Sequence, residues 1–248
     1  MEMEFFVKPG TDEEWYKYWH KTRFDWYASL GIKQDKLRIR DHEQCELAHY
    51  AKACADVEYF FPFETEDGEG VWSELEGIAN RTDYDLRKHS EYSGKDLVYF
   101  DPETNEKYTP YVIEPAAGAD RATLAFLCDA FAEETIAEGD VRTVLHFHPK
   151  LAPIKAAVFP LVKKDGMPEK AREIYKALLD AGINTIYDQA GAVGRRYRRM
   201  DEVGTPWCIT IDGDTTTKGT VTVRDRDTMQ QEIIPVAGIV AYIQDKLR

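Results

Sequence analysis

The hydrophobic and polar positions in the first half of the chain predict a mixture of helices and strands. Aromatic residues recur at helical spacing after Thr11 and predict an amphipathic helix that ends at Gly31. Thr11 and Glu14 form a capping-box pattern at the start of this helix. We expect its aromatic stripe, Trp15, Tyr18, Trp19 and Trp26, to lie in the core. Strands are predicted at 71–79 and at 97–114, the latter folded into a hairpin at DPETNEK, with an exposed turn at ETEDGEG between residues 64 and 70. A helix is predicted to begin near Asp120 and to end in the acidic stretch EETIAEGD.

The second half of the chain has a more regular pattern, in which predicted strands alternate with helices. Strands are predicted at 156–162, 183–187, 207–211 and 220–223, and helices at 168–181, 193–203 and 236–247. This alternation is typical of an α/β domain. We therefore predict two domains, an α+β domain with a partly antiparallel sheet at 1–141 and an α/β domain at 142–248.

Composition and charge narrow the class of protein. The 248 residues are 43% hydrophobic and 31% charged, which excludes a wholly disordered chain. No apolar run approaches the roughly 20 residues of a membrane span, no secretory signal is visible, and four scattered cysteines indicate reduced thiols. We therefore expect a cytoplasmic protein without membrane contact. The net charge of −13 argues against a protein that coats nucleic acid non-specifically. A local basic face could still bind nucleic acid.

The residues that could carry chemistry are mainly acids on predicted strands. P-loop, HExxH and GxSxG motifs are absent, and we interpret His146 and His148 in HFH as a satisfied pair, so no protein-bound metal is predicted. For Glu2, Glu74 and Glu114, each taken singly, we favour an ordinary acid that is ion-paired or exposed at a strand edge. Glu114, however, directly precedes the glycine turn AAGADR, and Arg121 falls in the first turn of the following helix. This combination predicts an anionic pocket beside a helix start that attracts phosphate.

The segment VIEPAAGADR resembles motif 3 of class II aminoacyl-tRNA synthetases, and the chain as a whole resembles the homodimeric type of glycyl-tRNA synthetase. MEMEFFVKPG is similar to the end of motif 2, while AHYAKACAD and WSELEGIANRTDYDL are similar to active-site strands. LAPIKAAVFPLVKK, RYRRMDEVGTPWCITID and KGTVTVRDRDTM are similar to the anticodon-binding domain. The resemblance implies the C-terminal part of such an enzyme, with a partial catalytic domain at 1–141 and an anticodon-binding domain at 142–248. Motif 1 and the first half of motif 2 have no counterpart in the sequence.

The resemblance also implies roles for particular residues. It implies ATP-dependent activation of glycine to glycyl-adenylate and transfer to the 3′ end of tRNA(Gly), with magnesium accompanying ATP and a homodimer for the full-length family. The implied catalytic residues are Glu114 and Arg121. The implied glycine contacts are Glu2, Glu74, Glu114, Pro115, Ala116, Ala117 and Gly118. The implied ATP contacts are Glu74, Leu75, Gly118, Ala119, Asp120 and Arg121. Ala116 stands where the family often has serine, so one hydroxyl contact to glycine is missing or is supplied by water.

Contacts with tRNA are predicted on the basic helix in GRRYRRMDEVG. The candidates are Arg195, Arg196, Arg198 and Arg199, which helical geometry cannot place on one face, so part of the set is expected to be solvated surface. The leading hypothesis is a ligase chain that is incomplete for catalysis by itself. The alternatives are a non-catalytic tRNA-binding or accessory protein derived from a synthetase, and a paralogous enzyme that forms amides or adenylates.

Overall fold

In the computed structural model, which describes residues 1–63, 68 and 70–248, the chain divides into two compact units, Met1–Cys128 and Asp129–Arg248. The division comes earlier than the predicted boundary at 141/142. The boundary is earlier because the acidic stretch EETIAEGD, which follows the helix predicted near Asp120, forms part of a hairpin. This hairpin packs with the other elements of the second unit. The turn predicted at ETEDGEG falls mostly outside the described residues.

The first unit is built around a five-stranded antiparallel sheet. Its helices are α1 (Asp12–Ser29), α2 (Tyr84–Ser93) and α3 (Ala119–Ala130), with a 3₁₀ turn at Gln34–Lys36. Its strands are β1 (Phe5–Val7), β2 (Leu37–Asp41), β3 (Ala53–Phe61), β4 (Val71–Thr82), β5 (Tyr99–Asp101), β6 (Glu106–Tyr108) and β7 (Tyr111–Ala117). The sheet order is β1-β7-β4-β3-β2, and β5 and β6 form a separate hairpin at the predicted position.

Helix α1 covers one face of this sheet, but not in the way the sequence predicts. Tyr27 is fully buried, whereas Trp15, Tyr18 and Trp26 are 37–51% exposed, so much of the predicted aromatic stripe is wrong. The helix carries aromatic residues on two adjoining faces, and the face next to the predicted one packs inward. The capping box is also wrong, because the Thr11 hydroxyl donates to the carbonyl of Lys8 instead of capping α1.

The second unit contains a mixed sheet with helices on both faces. Its strands are β8 (Phe131–Ala137), β9 (Asp140–Leu145), β10 (Ala156–Pro160), β11 (Thr185–Tyr187), β12 (Trp207–Ile211), β13 (Thr220–Asp225) and β14 (Gln231–Pro235). Its helices are α4 (Met167–Asp180), α5 (Val193–Glu202), α6 (Gly213–Lys218) and α7 (Ile239–Lys246), with a 3₁₀ turn at Val236–Gly238. The order is β11-β10-β12-β13-β14, with β10 parallel to both β11 and β12 and the remaining pairs antiparallel.

The helices that follow β10 and β11 lie on opposite faces of this sheet. Helix α4, which follows β10, packs on the face that carries Ala156 and Val158, whereas α5, which follows β11, packs on the face that carries Ala157 and Phe159. Throughout the described ranges, no helix combines the length and apolarity that a membrane span requires.

Candidate functional site

The side of the first sheet that faces away from α1 carries polar and small residues, and we call it the open face. Gly77 lies in the middle strand β4, opposite Asp56 on one side and Ala116 on the other. A Cβ atom built on Gly77 would lie 3.5 Å from Glu74 Oε1 and 3.7 Å from Asp56 Oδ1. Two carboxylates therefore border the same small space above a floor of glycine and alanine. Such a recess suits a small cationic group, because the two carboxylates attract positive charge and the floor leaves little space for a larger group.

A β-bulge in β4 keeps Glu74 on the open face. Opposite β3, Glu58 pairs with Glu74 and Val57 with Glu76, so Leu75 is the additional residue. Leu75 and Glu76 are both 1% exposed, and Glu76 accepts hydrogen bonds from Arg23 Nε at 2.6 Å and from the Tyr27 hydroxyl at 3.1 Å, beneath α1. Glu74 itself is exposed.

The turn between β7 and α3 is bonded to the backbone of this bulge. The Gly118 amide donates to the Leu75 carbonyl at 3.2 Å, and Arg121 Nη1 donates to the Glu74 carbonyl at 2.8 Å. The exposed Arg121 guanidinium and the first backbone amides of α3 are thereby placed beside Glu74. A guanidinium next to a helix start is an arrangement that binds phosphate groups.

Glu114 is held by Arg81, which the sequence analysis did not single out. Arg81 Nη1 donates to Glu114 Oε2 at 2.7 Å, while its Nε donates to Asp85 at 2.6 Å and its guanidinium lies 4.0 Å from the Tyr50 ring centre. The carboxylates of Asp85 and Glu114 raise the pKa of Arg81, although burial opposes them. Glu114 is thus a paired, largely buried carboxylate with a fixed position.

Arg81 owes its position to a second bulge in β4. Asn80 pairs with Ile113 and Thr82 with Val112, so Arg81 is the additional residue. Thr82 adopts a φ of 51°, a left-handed conformation that a β-branched residue rarely takes. No simple sequence pattern marks such a bulge, which explains why Arg81 was missed.

The N-terminal residues contribute two further acids. Glu2 is exposed and forms an isolated bridge with Ala116, which places the two residues side by side on the sheet. Glu4, which was not predicted, lies beside Glu114, and burial together with the Glu114 charge raises its pKa. The alternation of acids in MEMEFF is the signal that could have identified Glu4.

The structure brings together only part of the predicted set. Glu2, Glu74, Glu114 and Ala116 share the open face, and Gly118, Ala119, Asp120 and Arg121 lie in the adjoining turn and the start of α3. Leu75, Pro115 and Ala117 do not contribute side chains there, because alternate residues of a strand face opposite sides. Leu75 lies in the core, while Pro115 and Ala117 line a cavity of about 250 Å³ together with Glu76.

The four predicted tRNA-binding arginines of α5 do not form one surface. Arg196 is 3% exposed and donates to the carbonyls of Pro160 at 2.7 Å and Leu161 at 3.3 Å. Its guanidinium is therefore buried at the carboxyl ends of β10 and β11, and the prediction that it contacts tRNA is wrong. The helical period that separates consecutive arginines by about 100° accounts for this.

The remaining three arginines differ in their exposure and in how far other residues of the chain already bond them. Arg198 Nη2 bonds Asp140 at 2.8 Å, and Arg199 bonds Asp188 and also the carbonyl of Ala190. Arg195 is exposed. Of the four, Arg195 is the one whose charge is most available to a polyanion.

We expect alanine at position 196 to destabilise the second unit, whereas alanine at position 195 should not. Arg196→Ala leaves buried carbonyls at the ends of β10 and β11 without a donor, which should cost about 2–4 kcal/mol of unfolding free energy. Arg195→Ala should change stability by less than about 0.5 kcal/mol. Urea unfolding followed by amide hydrogen exchange measures both, and equal effects of the two variants would contradict the structural role.

The chain is similar in sequence to known proteins. The family described as "Anticodon binding domain" matches residues 155–246. Glycine–tRNA ligase of Lachnospira eligens is 55% identical over 248 residues, which is all of this chain and 52% of that protein. The enzymes of the same name from Clostridium tetani and Geobacillus kaustophilus are 56% and 52% identical over 247 residues, covering 51% and 52% of their lengths. The chain thus spans about half the length of the curated relatives it matches.

Proposed function

We propose that this chain, which is homologous over its full length to glycine–tRNA ligases, supplies the glycine pocket and the anticodon-binding module of such an enzyme. The observation that carries the proposal is the link between Arg121 Nη1 and the Glu74 carbonyl at 2.8 Å. It joins a recess bordered by carboxylates to a guanidinium at a helix start. A small ammonium compound and a polyphosphate could then bind side by side.

The recess explains how glycine could be selected. Glu74 and the other carboxylates of the open face would attract the ammonium group of glycine. Gly77 and Ala116 form the shallow floor of the recess. The positioned side chains around that floor would exclude larger amino acids, because a steric clash costs far more than a methyl group gains. Ala116 offers no hydroxyl, so any polar contact at this position would come from water.

The reaction requires positioning rather than a protein nucleophile. The glycine carboxylate would attack the α-phosphorus of ATP in line, and pyrophosphate would leave. A hydroxyl of the terminal ribose of tRNA(Gly) would then attack the glycyl carbonyl of the adenylate, forming the ester as AMP leaves and the hydroxyl proton is lost. Arg121 and the first amides of α3 would hold phosphate oxygens and offset the charge that develops on them. Magnesium would enter with ATP, and the carboxylate oxygens of the open face are ligands that suit it.

We propose further that the 248 residues by themselves activate glycine poorly. The relatives are about twice as long, and the resemblance provides no counterpart here of the motif 2 arginine that grips the α-phosphate. Loss of one such donor typically costs several kcal/mol of transition-state stabilisation.

Glycine-dependent ATP–pyrophosphate exchange tests these proposals. The chain alone should remain near background, whereas a mixture with the part of the Clostridium tetani relative that this chain does not match should show exchange with glycine but not with alanine or serine. Robust exchange by the chain alone would contradict the claim of incompleteness. A mixture that binds tRNA(Gly) in a salt-dependent way but never exchanges would instead support the accessory-protein alternative.

A further inference from the structure

Three side chains of different chemistry meet at the β2–β3 end of the open face. The His42 amide donates to the Cys54 carbonyl at 2.9 Å, so His42 extends the β2–β3 ladder opposite Cys54. Asp56 lies two residues further along β3 and therefore points to the same side as Cys54. One ligand atom from each of the three residues lies within 4.8 Å of those of the other two.

We propose that His42, Cys54 and Asp56 form a binding site for a zinc-type divalent cation. Imidazole nitrogen, thiolate sulfur and carboxylate oxygen are the ligands that zinc takes in proteins, and three of them leave a fourth tetrahedral position for water or another ligand. Zinc–ligand bonds of about 2.0–2.3 Å place tetrahedral ligand atoms about 3.5 Å apart. His42 Nε2 and Asp56 Oδ2 are 2.8 Å apart, so small side-chain rotations bring the three groups into that arrangement.

Arg40 is the competitor that the cation must displace. Its Nη2 atom lies 3.1 Å from Asp56 Oδ2 and 3.3 Å from His42 Nε2. Arg40 also bonds Glu46 at 3.1 Å and Glu58 at 3.2 Å. Because those two partners remain, Arg40 can release Asp56 without becoming an unpaired cation.

The charges around Cys54 favour a cation. The Cys54 thiol lies near the carboxylates of Asp56, Glu74 and Glu114. The same negative surroundings attract a divalent ion, which displaces the thiol proton when it binds. The bound ion ties edge strand β2 to β3, so it also stabilises the first unit. The site shares Asp56 with the recess at Gly77, but metal binding by these three residues is tested without any synthetase activity.

Cobalt(II) and zinc titrations of the full chain test the proposal. The chain is first dialysed against a chelator and kept reduced with a phosphine. One equivalent of cobalt(II) should then give a thiolate-to-metal charge-transfer band, and zinc should remove this band by displacing the cobalt. Cys54→Ser should abolish the band and weaken zinc binding about tenfold or more, and His42→Gln should weaken binding similarly. Cys45→Ser is the matched control, because Cys45 is an exposed cysteine on the same connecting segment as His42, and it should bind like the parent chain.

Several outcomes would overturn the site. Absence of zinc binding at micromolar concentrations, or loss of the band in Cys45→Ser with retention in Cys54→Ser, contradicts it. Far-ultraviolet circular dichroism of each variant establishes that folding is preserved. If Cys54→Ser does not fold, His42→Gln decides the question: unchanged binding in that variant overturns the proposal.

Discussion

Replacing Asp201 with alanine is expected to lower the free energy of unfolding of the second unit by about 3–5 kcal/mol. Asp201 is 1% exposed on α5 and accepts from Arg224 Nη1 at 2.8 Å and Nη2 at 3.1 Å, and from Arg142 Nη1 at 3.3 Å. The variant leaves two buried guanidinium groups without their shared carboxylate, and such a loss is a large part of the roughly 5–15 kcal/mol of a typical domain. Urea unfolding monitored by hydrogen exchange in β13 measures the change.

The matched control is Asp140→Ala, because Asp140 also pairs with an arginine of the same unit but lies at the surface. Asp140 is about half exposed and bonds Arg198 at 2.8 Å. An exposed pair contributes about 0–1 kcal/mol, so this variant should be nearly neutral. A loss of less than about 1 kcal/mol in Asp201→Ala would show that the buried cluster does not hold α5 to β9 and β13.

Glu114→Gln is expected to raise the KM for glycine by about a hundredfold in the mixed ATP–pyrophosphate exchange assay. Glutamine keeps the shape but removes the charge that attracts an ammonium group, and it weakens the bond from Arg81. Arg81 retains Asp85 and the Tyr50 ring, so the sheet should remain intact. The KM for ATP should change much less, because Arg121 and the start of α3 are unaltered.

Glu91→Gln provides the control for this experiment. Glu91 is an exposed carboxylate on α2 that bonds Lys88 at 2.9 Å, so the variant removes one negative charge without touching the open face. Its kinetics should match those of the parent mixture. Equal KM values for glycine in Glu114→Gln and the parent would remove Glu114 from the glycine pocket, whatever the state of the rest of the site.

The second unit was predicted from the sequence more accurately than the first. Apolar runs such as Trp207–Ile211 are buried on both faces, and a glycine with a φ of 77° at position 182 follows α4, so periodicity and turn residues located these elements. Strand β8 was missed because EETIAEGD is acidic and mostly exposed, and its pairing with β9 is a tertiary effect. The face of α1 was misassigned because two adjoining faces are aromatic.

The candidate site could be predicted only in outline. The family resemblance located Glu74, Glu114 and Arg121, and the structure places all three at the open face or beside it. Arg81 and the orientation of Leu75 depend on bulges, which add one residue to a strand without a signature in local composition. Arg196 could not be recognised as a structural residue because its partners are backbone carbonyls, which any sequence supplies.

The position of β1 has a practical consequence for work with the isolated chain. Among the described strands β1 pairs with β7 alone, and its residue Phe6 is 53% exposed. An unpaired strand edge with an exposed aromatic ring is a template for association with another copy. We therefore expect light scattering to increase with concentration for the chain alone, because its copies aggregate through this edge. The mixture with a second polypeptide that covers the edge should not aggregate at the same concentrations.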